Sequence, residues 1–498
     1  MTDLYQKLFN QSREAKILDG ITAHLGWDAE TYMPEAAAEI RSEQRKLLAG
    51  MIHEKRTNTK YRKALNNLAE NGADLSPRQT AAVREWQRDF RIATALPRKF
   101  VETFTKVTSD ASVVWRAARL DNDFGSFSPW LEKIVNLCRK KADLLGYDEH
   151  PYDALLDLFE PYMPSKDISK LFGTLRKAIV PLLQKITASK QVDDSIIKGH
   201  FPEQQQMELA TDLLKFVGFN MTCGRLDIST HPFSSASHPT DSRITTRVDL
   251  TDAVGNILTT LHEFGHGLYE QNLPAEEYGS PLGEAISNGI HESQSRFWET
   301  RIGLSQPFWT FGLPLLQKHF PTHFAKTTPQ NIWRAINKVQ PSLIRVEADE
   351  VTYTLHVILR YELEMQLIEG SLKVRDLPEA WNAKMKELLG VVPKNDSQGC
   401  LQDIHWSLGA FGYFPSYSLG NVYAAQLFET FEAANPKWQE TIAKGEFAFV
   451  REWLCNNIHK HGKAYTAPEL LKKVTGKEIN ADPFINYLNS KYAKVYAF

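Results

Sequence analysis

The sequence predicts a mainly α-helical protein with a minor β-sheet, on three observations. From Met1 to about Leu213, apolar residues recur three and four apart, as in RQTAAVREWQRDFRIATAL, between Pro34, Pro77, Pro97, Pro151, Pro161 and Pro164. Helical periodicity returns from Asn331 to the end. Between them, from Met221 to Leu250, the texture changes: HPFSSASHPTDS is rich in Ser, Pro and His, and RITTRVDL alternates apolar and polar residues with period two. That stretch reads as a short strand or hairpin.

The segment DAVGNILTTLHEFGHGLYEQ reads as an amphipathic helix capped by Thr251 or Asp252. It closes before NLPAEEYGSPLG, a loop with two prolines and two glycines. EAISNGIHESQSRFWETRIG forms the next helix, with Glu284 at its start. Later helices are interrupted by VVPKNDSQG and by the aromatic, Gly-rich stretch GAFGYFPSYSLGN. A chain of 498 residues could hold about three domains of roughly 150 residues. With no repeat, low-complexity tract or flexible linker, a single domain over residues 1–498 is expected.

Composition narrows the function. At 42% hydrophobic, 11% aromatic and 24% charged, the chain has the apolar mass for a large core, which excludes a disordered or fibrous protein. Lys+Arg 58 against Asp+Glu 60 gives a net charge of -2, so no positive field exists to hold nucleic acid or an anionic membrane. No apolar stretch approaches the roughly 20 residues that span a bilayer. Cys138, Cys223, Cys400 and Cys455 lie far apart without a CxxC pair, which points to a reducing compartment. The N-terminus, MTDLYQKLFNQSREAK, lacks the basic start and apolar run of a signal peptide, so a cytoplasmic protein is expected.

The sharpest chemical signal is His262-Glu263-Phe264-Gly265-His266. On a helix, positions i and i+4 share a face, so both imidazoles can meet one ion while Glu263 reaches a water bound there. With 15 His in 498 residues, chance yields about 0.03 such HEXXH patterns. His319 and His323 in HFPTH share the spacing, but Pro321 breaks the helix and no Glu is present, so they read as loop residues. His459 and His461 in HKH read as solvated. Two histidines leave a catalytic zinc one protein ligand short. Glu284, Glu292 and Glu299 follow on the next helix; spacing leans to Glu292, and the more charged surroundings of Glu299 suggest a solvated carboxylate.

Several motifs then resemble the carboxypeptidase Taq family of HEXXH zinc metallocarboxypeptidases, the thermostable carboxypeptidase 1 type. They are HPF at His231–Phe233, DSRIT at Asp241–Thr245, HEFGH at His262–His266, HESQ at His291–Gln294, IRVEAD at Ile344–Asp349 and GCLQDIHW at Gly399–Trp406. WDAETYMP near the N-terminus is similar to the family as well. The resemblance implies that Glu292 is the third metal ligand. It further implies two helical lobes around a long deep cleft with a small sheet beside the HEXXH helix, a homodimer, and one divalent ion per chain, zinc or cobalt.

Such a site would hydrolyse the C-terminal bond of peptides by metal-activated water, with Glu263 as general base and acid. The metal site falls within residues 231–417. A donor for the tetrahedral intermediate could come from His405, Tyr413 or Tyr417, although GAFGYFPSYSLGN could equally be a packed loop whose tyrosines anchor helices. An exopeptidase must also grip a free carboxylate, and Arg345 is the candidate, with an ion pair to Glu347 or Asp349 as the alternative reading. Arg243 is second choice, and there a structural pair with Asp241 is favoured. His231, Asp241, Arg243, Asp349, Gln402 and Asp403 complete the candidates around the site. Two rivals stay open on the residues alone: an HEXXH endopeptidase or oligopeptidase without a carboxylate clamp, and a noncatalytic helical scaffold.

Overall fold

A computed structural model describes residues 2–498. Helices run from Thr2–Thr31 at one end to Asp482–Tyr496 at the other, with a small sheet between Val217 and Ala253. None of the described helices is long and apolar enough to cross a membrane.

The sheet is richer than the single strand or hairpin expected. Strand β1 (Gly224–Ile228) lies parallel to β3 (Asp241–Thr246), and β2 (Ser234–His238) pairs antiparallel on its other side, giving the order β1-β3-β2. The middle of the Ser-rich stretch is thus a strand whose hairpin turns at Pro239 and Thr240, where the His238 ring accepts the Thr240 N–H at 3.1 Å. The central strand β3 rests on the HEXXH helix, Ala253–Gln271, and Ser242 Oγ donates to the Gly267 carbonyl at 3.2 Å.

Asp252, not Thr251, caps that helix, its Oδ1 accepting the Gly255 N–H at 2.8 Å. Leu261, Phe264 and Leu268 face away from the histidines into the core. Phe264 packs edge-on against Trp298, with centroids 4.8 Å apart, a burial worth about 2–3 kcal/mol. The following helix is Asn288–Arg296, opened by Ser287, whose Oγ accepts the Ile290 N–H at 3.1 Å. Glu284 therefore precedes the helix rather than starting it. The helix widens into a π-helical segment, Phe297–Gly303.

Two glycines set how closely the site's helices approach. A Cβ on Gly265 would lie 2.5 Å from the Gln294 carbonyl oxygen, so only glycine lets the helices Ala253–Gln271 and Asn288–Arg296 meet there. A Cβ on Gly420 would lie 2.4 Å from Glu292 Cγ, so the helix Phe414–Ala434 presses directly on the glutamate. That helix begins inside the stretch read as an interruption, because Pro415 is well placed in a first helical turn. In HFPTH, His319 ends the helix Gln306–His319 and His323 belongs to a new one, Pro321–Phe324. His459 is buried, not solvated, with its Nε2 2.9 Å from Gln294 Oε1.

One apolar core runs from Ala111 to Tyr496, and a smaller one gathers Tyr5, Leu8, Tyr61, Leu65 and Trp86 of the N-terminal helices around Leu282. A charged clasp sits beside Leu282: Glu284 accepts Lys16 Nζ at 2.9 Å on one oxygen and Lys463 Nζ at 2.9 Å on the other. Although burial works against it, the two lysines hold the Glu284 carboxyl far below the usual range. A depressed folded-state value means stability present above about pH 4.3 and lost as pH falls toward the folded value. Glu284→Gln should cost about 2 kcal/mol at pH 7, measured by denaturant unfolding, and the gap from wild type should shrink below about pH 4. A pH-independent gap would assign the effect to packing instead.

Candidate active site

Donor atoms of His262, His266 and Glu292 lie within 4.8 Å of one another. His262 Nε2 and His266 Nε2 both face Glu292 Oε2, at 3.7 and 3.4 Å. Ligands bound tetrahedrally at 2.0–2.2 Å stand about 3.3 Å apart, so these separations suit one small divalent ion.

The far side of every donor is held. Glu299 Oε2 meets His262 Nδ1 at 2.7 Å, and Arg296 Nη1 donates to that same oxygen at 3.1 Å. His266 Nδ1 lies 2.5 Å from His291 Nδ1, and His291 Nε2 lies 2.8 Å from Glu270 Oε1. With His291 Nε2–H donating to Glu270, the bare His291 Nδ1 accepts the His266 Nδ1 proton and leaves His266 Nε2 free to ligate. Glu292 Oε1 accepts Arg296 Nε at 2.8 Å, turning Oε2 toward the histidines.

Charge supports the same reading. Glu263, Glu292 and Glu299 are packed together, and Arg296 is the permanent cation among them. Burial, aided by Glu292 and Glu299, pushes the Glu263 carboxyl up to about 7, and its Oε2 is buried without a hydrogen-bond partner. Burial works against a proton on His262, but Glu292, Glu299 and Glu263 outweigh it and lift the imidazole to about 9. The carboxylates thus favour a cation here, and an ion ligated by His262 would displace that proton. At His266 burial prevails and pushes the ring down to about 3, keeping it neutral as a ligand must be.

Arg345, on the short turn Arg345–Glu347, is buried, and its partner is neither Glu347 nor Asp349 but Asp403. Asp403 Oδ1 accepts Arg345 Nε at 3.1 Å and Nη2 at 2.9 Å, while Oδ2 accepts Arg360 Nε at 2.6 Å. Burial opposes ionisation of Asp403, yet Arg360 and Arg345 hold its carboxyl well below the usual range. Arg345 Nη1 donates to Tyr353 Oη at 3.1 Å, and Arg296 lies 4.6 Å over the Tyr353 ring. Tyr353 therefore joins the arginine that holds Glu292 to Arg345. Tyr417 lies under Arg345 at 4.9 Å, against Tyr413, with its hydroxyl 3.3 Å from His405 Nε2. Burial pushes His405 down to about 4.

Other candidates are engaged structurally. Asp349 caps the helix Glu350–Glu369 through the Val351 and Thr352 N–H groups. Gln402 accepts from Arg345 N and Arg360 Nη2 and braces the loop carbonyls of Leu343, Gln398 and Gly399. Asp241 and Arg243 pair along β3 at 2.8 Å, and Arg243 lies 4.8 Å over Trp27 of the first helix. His231 is exposed, and its carbonyl accepts Ser229 Oγ at 2.7 Å.

Arg296, Glu270 and Tyr353 are not singled out from the sequence, and Glu299 is named there but reads as solvated. Three of the four carry a periodic signal. Glu270 extends the His262/His266 face by one more i+4 step, and Arg296 and Glu299 follow Glu292 at i+4 and i+7. Glu299 is not the solvated carboxylate expected from its charged neighbours; those neighbours fold inward with it.

These observations agree with what the chain is similar to. The sequence profile of the family described as carboxypeptidase Taq (M32) metallopeptidase matches residues 7–492. Carboxypeptidase 1 of Bacillus subtilis is 39% identical over 475 residues, 95% of either chain, and thermostable carboxypeptidase 1 of Thermus thermophilus is 39% identical over 99% of each. The crystal structure of the M32 carboxypeptidase from Deinococcus radiodurans superposes with a TM-score of 0.97 at 38% identity, covering 100% of both chains. Since sequence and fold agree from end to end, the chain belongs to the carboxypeptidase Taq (M32) family and is a metallopeptidase that acts on C-terminal peptide bonds.

Proposed function

We propose that His262, His266 and Glu292 hold one divalent ion per chain, zinc or cobalt, and that Glu263 moves the protons of hydrolysis. The observation that carries this reading is the convergence of three donors within 4.8 Å beside a buried carboxylate with an unpartnered oxygen. When bound, the ion supplies Lewis acidity for the scissile carbonyl and makes water acidic enough to lose a proton near neutral pH. Glu263 takes that proton and delivers it to the departing amine, a role suited to a carboxyl lifted toward 7. His291 and Glu299 hold the outer nitrogens of the two imidazoles and so fix their orientation.

Arg345 grips the substrate's terminal carboxylate. Of its five N–H bonds, Asp403 takes one on Nε and one on Nη2, and Tyr353 takes one on Nη1. One N–H remains on each Nη, the pair that meets a carboxylate end-on with two parallel bonds. Tyr413, Tyr417 and His405 line the same cluster and can donate to the tetrahedral oxyanion. His231, Asp241, Arg243, Asp349, Gln402 and Asp403 act by supporting the cleft walls, through the partners described above.

We infer that the chain acts as one catalytic domain over residues 1–498, two helical lobes around a cleft; its apolar residues gather in one large core and a smaller N-terminal one. Four free cysteines support a cytoplasmic enzyme. Family resemblance supports a homodimer.

Metal content and turnover of single variants test the ligand set. Glu292→Ala should lose the ion, and Glu299→Gln should weaken its binding by about 10- to 100-fold. Glu263→Gln should keep the ion and lose turnover by at least about 100-fold. Full metal content with persistent activity in Glu292→Ala would overturn the assignment.

Peptide chemistry tests the clamp. Arg345→Met should lower kcat/KM for free-acid peptides by about 100-fold, roughly 2–3 kcal/mol, and Arg345→Lys should restore part of it. Mass analysis should find single residues released from free-acid peptides and almost none from C-terminally amidated ones. An unchanged rate in Arg345→Met would place the clamp elsewhere.

A further inference from the structure

The helix that carries Glu292 takes two of its first hydrogen-bond partners from a distant turn. The first three N–H groups of Asn288–Arg296 have no acceptor within the helix. Ser287 Oγ accepts the third, from Ile290, at 3.1 Å. The Phe159 carbonyl accepts the first, from Asn288, at 3.1 Å, and Glu160 Oε1 accepts the second, from Gly289. Glu160 is fully buried, and the same oxygen accepts the Ser416 hydroxyl at 2.6 Å. Ser416 stands in the first turn of the helix Phe414–Ala434.

These two helices hold Glu292 between them. The Gly289 bond lies one turn before Glu292, and Gly420, one turn beyond Ser416, lets the second helix press on Glu292 Cγ. No cation among the described residues pairs with Glu160. Burial pushes its carboxyl up to about 7, while Ser416, Ser287 and the Gly289 N–H pull the other way. What compensates the carboxylate is therefore the positive ends of two helices. The fit is close: a Cβ on Gly289 would lie 2.9 Å from Glu160 Oε2 and 3.0 Å from Tyr423 Cε2.

We propose that Glu160 is a positioning residue for the metal. By tying the first turns of both helices to one oxygen, it fixes where Glu292 Oε2 stands relative to His262 and His266, and so sets how tightly and in what geometry the ion is held. This rests on the ligand set proposed above. Glu160 bonds to none of the three donors and acts through helix placement alone. Arg296 orients the Glu292 carboxylate from one turn after it, and Glu160 fixes the backbone from one turn before.

Titration of the metal-free, full-length protein with Co2+, followed by calorimetry and by visible absorption, tests this. Glu160→Ala and Gly289→Ala should each bind Co2+ about 10-fold more weakly than wild type, with altered visible bands. Alanine is a better helix former than glycine, so weaker binding in Gly289→Ala reports the displaced Glu160 carboxyl and not a frayed helix. Glu160→Gln keeps an accepting oxygen at the same reach and should bind within about threefold of wild type, with wild-type bands. Gly289→Ala and Glu160→Gln carry the test where Glu160→Ala does not fold. Glu292→Ala should lose the ion, and Co2+ retained there would overturn the ligand set and this proposal with it. Co2+ lost from Glu292→Ala but held by Glu160→Ala or Gly289→Ala with wild-type affinity and bands, whatever their unfolding temperatures, would overturn the role of Glu160 alone. Glu160→Gln binding as weakly as Glu160→Ala would do the same.

Discussion

The site depends on burying three carboxylates, Glu263, Glu292 and Glu299, around one arginine. Carboxylates taken out of water without compensation cost several kcal/mol each, and Arg296 can answer for only part of that. In the proposed reading the remainder falls on the space between His262 Nε2, His266 Nε2 and Glu292 Oε2, where a divalent cation would balance the charge. Metal affinity and the basicity of Glu263 are then two sides of one arrangement. The same carboxylates that draw the ion in also raise Glu263 toward the pH at which it can trade protons.

Geometry follows from that demand. The two metal-bearing helices can share an ion only if their backbones nearly touch, which Gly265 allows, and the glutamate is pinned from behind by the helix that carries Gly420. The π-helical segment after Arg296 widens the turn and brings Glu299 back to His262. Tyr353 then carries the arrangement outward, linking Arg296 to the Arg345–Asp403–Arg360 cluster. The candidate metal donors and the proposed carboxylate grip are therefore joined through Tyr353.

Much of this was legible in the sequence, and the limits have physical causes. The HEXXH helix and its Asp252 cap are local features, and a local pattern suffices to read them. Spacing leaned only modestly to Glu292 over Glu284 and Glu299, and the family resemblance decided it, because which carboxylate faces the histidines is a matter of helix start and packing. Ser287 begins the helix after Glu284, which leaves Glu284 free to clasp two distant lysines. Charged neighbours suggested solvent for Glu299 and for His459, yet tertiary partners more than a hundred residues away bury His459, and the metal-bearing helix buries Glu299. For Arg345, read as the carboxylate clamp, the alternative was an ion pair with its sequence neighbours Glu347 or Asp349, whereas its acidic partner, Asp403, lies 58 residues on. The endopeptidase and scaffold alternatives, open on the residues alone, fall with membership of a carboxypeptidase family.

Anomalous diffraction at the metal edge, from crystals of the metal-loaded enzyme, tests the charge-balance account most directly. It predicts one strong peak per chain within bonding distance of His262 Nε2, His266 Nε2 and Glu292 Oε2, with Glu299 and His291 still on the outer ring nitrogens. A peak centred on other residues, or an ion bound through Glu263 or Glu299 in place of Glu292, would contradict it.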